Sequence, residues 1–223
     1  MRIPTVYGIV LSSEITLCSI WIEMKAQLAK ITSTILNPFL VGLALIVLLA
    51  FESTSSVAEA IKWSLISLVF SILPVLVVIL YLLYNERIEG LSIKVRQQRG
   101  KIYLLASACA VVSCVVLLYL GAPSLLVACF VAGLSAVVIF MFINLWWKIS
   151  VHTALVGGSV TVFIFLYGLA GAISVVLLPV VTWSRLELKH HTLAQVTVGA
   201  ILAASIVGVV FRLFGLPGII ATA

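Results

Sequence analysis

Long apolar runs alternate with short polar breaks along this chain, and the runs have helical rather than strand dimensions. One runs from about Pro38 to Phe51, and a second follows Glu59 and ends near Tyr84. A third spans about Ile102 to Leu120, and Gly121-Ala122-Pro123 turns the chain into a fourth that ends near Trp146-Trp147. A fifth covers about Ser150 to Tyr167, and a sixth, after the small residues Gly168-Leu169-Ala170-Gly171, ends near Trp183. The last covers about Leu193 to Leu213. Roughly 20 apolar residues carry a helix across about 30 Å of hydrocarbon. The pattern therefore predicts an all-α fold, a polytopic transmembrane helical bundle of six to seven spans. The first run is short and implies tilt or extension at an end. The period-two alternation of a membrane barrel is absent.

Upstream, residues 12–35 mix apolar positions with Glu14, Glu23, Lys25 and Lys30. Such a stretch reads either as an amphipathic helix in the membrane interface or as a solvated leader. The chain divides into an N-terminal segment (1–37), two N-terminal transmembrane helices (38–84) and a core (85–215), with no internal repeat.

Composition agrees with the pattern. Hydrophobic residues make up 64% of the chain and charged residues 9%, with a mean hydropathy of +1.34. A soluble domain carries roughly 25% charged residues. The lipid bilayer is thus the first partner to expect. Arg2 is followed by only a short apolar stretch that Glu14 interrupts, so no cleaved signal is expected. Cys18, Cys109, Cys114 and Cys129 lack metal-ligand spacing, and the last three read as buried thiols. Neither a metal nor another cofactor is expected.

Two polar islands interrupt the apolar pattern. One is Lys148-Ile149-Ser150-Val151-His152, and the other is Ser184-Arg185, then five residues, His191, three more, and Gln195. Polar and ionisable residues at the ends of membrane spans mark functional sites. The longest polar stretch, 85–101, adds Lys94, Arg96, Arg99 and Lys101. Two spans separate that stretch from His152, and two more separate His152 from Arg185. An even number of crossings returns the chain to the same face, so all three segments are expected on one side. Arginine and lysine together suit phosphate oxygens. Two histidines offer a nucleophile and a proton donor. Cations can neutralise the developing phosphoryl charge without a metal. Lys148, beside two tryptophans, reads instead as a snorkelling anchor. The glycines at 157, 158, 168, 171 and 199 read as sites of close helix packing.

The second island resembles the third motif of the type 2 phosphatidic acid phosphatase superfamily, SR-x5-H-x3-D. Ser150-Val151-His152 is similar to a reduced form of that family's PSGH motif. Lys94-Val95-Arg96-Gln97-Gln98-Arg99 has the character and order of its first motif, K-x6-RP, but not its spacing or proline. The resemblance covers roughly residues 85–210 and implies a core like that of the family. It implies His191 as the nucleophile that forms a phosphohistidine, and His152 as the acid that protonates the leaving oxygen. It implies Arg185 as a clamp on phosphate oxygens, with Ser150, Ser184, Lys94 and Arg99 as further substrate contacts. The implied substrate is a lipid phosphate: phosphatidic acid, phosphatidylglycerol phosphate or an isoprenyl diphosphate.

Gln195 stands where that family has an aspartate. Its carbonyl can orient the imidazole but cannot neutralise charge. Glu187, four residues before His191, would supply a charge if that segment were helical. A binding protein with a decayed site is the alternative reading. An intramembrane transporter is a third, and it would need polar groups in mid-span, which are not seen. If seven spans hold, all of the 13 Lys and Arg residues except Lys62 and Arg212 fall on the site face. That asymmetry points the site to the cytoplasm of a prokaryotic-type plasma membrane, although many bacterial members of the family place it outside. The net charge of +6 has the same origin and carries no expectation of nucleic acid.

Overall fold

The structure, a computed structural model, describes residues 6–85 and 96–216, with side chains described for 19–85 and 100–216. Among these residues the chain is helical and contains no strand. The helices are α1 (Val6–Ile35), α2 (Pro38–Glu52), α3 (Val57–Phe70), α4 (Ile72–Tyr84), α5 (Arg96–Tyr119), α6 (Ser124–Ile143), α7 (Val151–Tyr167), the single turn α8 (Leu169–Ala172), α9 (Leu177–Glu187) and α10 (Leu193–Leu213). A 3-10 turn, Ile173–Val176, joins α8 to α9.

Local chemistry accounts for the breaks. Asn37 accepts a hydrogen bond from Phe39 N at 2.9 Å, and Pro38 opens α2 where its missing N–H costs nothing. At Gly168 the backbone enters the left-handed region (φ 58°), which ends α7 and reverses the chain. This glycine serves a turn, not the close packing that its neighbours suggested, for nothing lies within 4 Å of where its Cβ would be.

Among the described residues, five helical stretches are long and apolar enough to cross a membrane, and α3 with α4, bent by 41°, makes a sixth. The expected count of six to seven is therefore reduced to five or six by length. The helix that falls short is α7, with 17 residues, about 26 Å of helix. Its surroundings explain why it can be short: His152, Thr153, Ala154, Val156, Gly157, Ser159, Val160 and Val162 are all buried. Protein rather than lipid surrounds it.

At the other extreme, the apolar run Ser19–Glu52 holds 34 residues across the α1–α2 break. Helix of that length is about 50 Å long and exceeds the hydrocarbon thickness. The α1 helix is also not a detached leader: it packs along α9, and Leu36 joins Val156, Val160 and Val181 in one cluster.

The most extensive helix contact is between α7 and α10. They run in the same direction, with Ser150 beside Gln195 at one end and Phe165 against Phe211 at the other. A Cβ on Gly157 would stand 2.7 Å from the Ala200 carbonyl oxygen, and one on Gly199 would stand 2.8 Å from that of Ser150. Small residues let helix backbones approach in just this way. A larger core of Leu49, Leu117, Leu126, Val162 and Phe211 lies toward the far end. There the Tyr167 hydroxyl donates to Glu52 Oε1 at 2.9 Å. At the near end Tyr103, from the start of α5, packs with Phe140, Ile149 and Ala154. The 148–152 and 184–195 islands thus meet at one end of the bundle, and the start of α5 packs at that same end through Tyr103.

Adding a methyl group at either close contact is expected to force α7 and α10 apart. Gly157→Ala and Gly199→Ala should each cost about 1–3 kcal/mol of stability. Gly133→Ala, with nothing within 4 Å, should be neutral or slightly stabilising. Thermal unfolding in detergent would measure all three, and equal melting temperatures would contradict the packing.

Candidate functional site

The site grows from the paired starts of α7 and α10. Ser150 is the N-cap of α7: its buried hydroxyl accepts from Thr153 N at 3.5 Å. Its backbone N–H donates to the Gln195 carbonyl at 3.3 Å, which ties the first turns of the two helices together. His152, in the first turn of α7, is buried. Two helix N-termini side by side present positive dipole ends and backbone N–H groups to the same space.

The α10 start is a capping box. Thr192 Oγ1 accepts from Gln195 N at 3.4 Å, and Gln195 Oε1 accepts from Thr192 N at 3.3 Å. The same Oε1 lies 3.1 Å from His191 Nδ1. The Thr192 N–H fixes which end of the amide faces inward, because it needs an acceptor. That oxygen in turn makes Nδ1 the donor of a neutral His191 ring, so Nε2 is its acceptor nitrogen. Gln195 therefore holds both a helix and a ring. The cap was missed in the sequence, although Thr192-x-x-Gln195 is its usual signature.

The segment between Arg185 and His191 is a C-terminal capping loop. His190 N donates to the Arg185 carbonyl at 3.1 Å and Lys189 N to that of Leu186 at 2.9 Å, the paired bonds of a Schellman motif. Lys189 takes the left-handed position (φ 53°) that glycine normally fills. The helix ends at Glu187, so the four-residue spacing from Glu187 to His191 is not helical, and Glu187 is exposed. The charge expected from it does not reach the ring along a helix face.

Lys148 does not stand as a free anchor beside Trp146. Its Nζ donates to the His190 carbonyl at 2.8 Å and joins the loop before α7 to the loop before α10. Ser184 and Arg185, on the last turn of α9, are buried at 0% and 1% exposure. The Ser184 hydroxyl donates to the Ala29 carbonyl at 2.8 Å, and Arg185 Nη1 donates to Ser33 Oγ at 2.6 Å. Both contacts are to α1, which the sequence reading left outside the core.

Of the expected contacts, Ser150, His152, Arg185, His191, Gln195 and Ser184 lie on adjoining helix ends. Arg99 is described only as a first-turn residue of α5, and Lys94 lies outside the described residues. Among the described residues, no group of His, Cys, Asp and Glu has the arrangement of a metal site. No known family model, curated protein or solved structure matches the chain.

The loop geometry makes a direct prediction. Lys189→Gly removes a left-handed side-chain penalty and should raise stability by about 1 kcal/mol. A fall in melting temperature would show that Lys189 is held there by contacts worth more than the strain.

Proposed function

We propose that this chain is an integral membrane phosphatase that hydrolyses a phosphate monoester or diphosphate at a lipid headgroup through a phosphohistidine. The observation that carries the reading is the pairing of the α7 and α10 N-termini, which puts the Ser150–His152 turn beside the His191–Gln195 turn. Arg185 ends α9 in the same region. Positive helix ends and a guanidinium suit a phosphate. Its position at one end of the bundle suits a headgroup whose tail stays among apolar helices.

In this mechanism His191 Nε2 attacks phosphorus while Nδ1–H remains on Gln195 Oε1. The lipid oxygen leaves with a proton from His152, and water then releases phosphate from His191 with His152 as base. Arg185 offsets the charge on the transferred group. This assignment of roles rests on the motif resemblance, and the geometry is compatible with it. The excess of cations at the site end favours a cytoplasmic orientation.

The second reading is a lipid-phosphate binding protein without turnover. It is favoured by Gln195, which is neutral and already serves as a helix cap, and by the Ser184 hydroxyl bonding within the fold.

Phosphate release separates the two. Detergent-purified protein would be offered phosphatidic acid, phosphatidylglycerol phosphate and isoprenyl diphosphates. Turnover that disappears in His191→Ala is expected, and a folded wild type that releases nothing from any of them would favour the binding reading. Gln195→Asp supplies the charge that an amide lacks and should raise turnover by about tenfold or more. A gain below twofold would remove charge compensation at position 195 from the mechanism.

A further inference from the structure

Serine and threonine hydroxyls inside helices usually bond back to the carbonyl four residues earlier. Several in this bundle do so: Thr34 to Lys30, Ser107 to Tyr103, Ser113 to Cys109, Ser135 to Val131 and Thr161 to Gly157. Ser33 uses its hydroxyl differently. The carbonyl four residues before it, that of Ala29, accepts the Ser184 hydroxyl instead, and Ser33 Oγ accepts Arg185 Nη1 at 2.6 Å. Two successive residues of α9 thus grip two groups one turn apart on α1. Thr32, Ser33 and Thr34 form a polar run in an apolar helix. Of the neighbouring pair Ser33 and Thr34, only Ser33 bonds across to α9.

We propose that Ser33 is a positioning residue for Arg185, and that α1 is a wall of the phosphate site. Arg185 is almost wholly buried, and a guanidinium has five N–H donors in one rigid plane. Fixing Nη1 by a short bond sets that plane and so the direction in which the remaining donors point. The hydroxyl is well suited to this, since it accepts from the cation without adding a charge that would compete with a phosphate. The inference rests on the reading of the site as one that takes phosphate.

The test uses purified full-length protein and inorganic phosphate as the probe, read as the rise in melting temperature with phosphate concentration, alongside lipid turnover. Ser33→Ala should weaken phosphate about tenfold and raise KM with a smaller effect on kcat. Ser33→Thr, which keeps the hydroxyl, should restore it. In an Arg185→Lys background Ser33→Ala should change phosphate affinity by less than twofold, because the effect passes through the guanidinium. Unchanged phosphate affinity in Ser33→Ala, or an equal loss in both backgrounds, would overturn the proposal. If Ser33→Ala does not fold, Ser33→Thr decides: weakened phosphate in a stable Thr variant also overturns it. Phosphate binding by wild type without lipid turnover would refute the phosphatase reading while leaving this test intact.

Discussion

The close parallel contact of α7 with α10 is the constraint on which the site depends. Antiparallel neighbours would put one helix start beside one helix end, and their dipoles would oppose. Parallel neighbours put two starts together. That arrangement requires the chain to leave α7, cross back and return, which α8, the 3-10 turn and α9 accomplish. The backbones come close because Gly157 and Gly199 have no side chain at the contact. The like dipole ends repel, and part of that cost is offset because the Ser150 N–H, one of the orphan donors at a helix start, finds the Gln195 carbonyl.

Around that pair, three tethers hold the functional loops. Lys148 reaches the His190 carbonyl, Arg185 and Ser184 reach α1, and the capping loop through Lys189 carries the chain from Arg185 to His191. The first two join segments that are distant in sequence, and the third is a local turn. Each uses a group that in isolation reads as something simpler: a membrane anchor, a phosphate ligand, a surface lysine.

The helical, membrane-embedded class was legible because apolar run length reports directly on bilayer thickness. The convergence of the polar islands was legible from the parity of crossings alone, and Tyr103 packed against Ile149 agrees with it. The glycines at 157 and 199 were legible as packing sites, whereas Gly168 was not, since turn and contact roles look alike in an apolar run. The part played by α1 was hidden for a different reason. Residues 19–35 carry charges and exposed apolar groups together, and only the partner face on α9 distinguishes a docked helix from an interfacial one. The bounds of α7 were legible, but its burial was not, because an apolar run looks the same whether helices or lipid cover it.

Gln195 shows how one side chain is constrained from two directions. Its oxygen must accept from the Thr192 N–H to close the α10 cap, and the same oxygen faces His191. An aspartate at this position would also favour the helix dipole and would add a negative charge beside the ring. The amide keeps the geometry and omits the charge. Arg185, Lys148 and two helix N-termini then give the described walls of the site a positive character that Gln195 does not reduce. A site of that kind gains most when an anion enters, because the ligand itself supplies the missing negative charge. Under the proposed reading, the neutral amide that weakens the case for fast chemistry therefore strengthens the case for an anionic ligand such as a lipid phosphate.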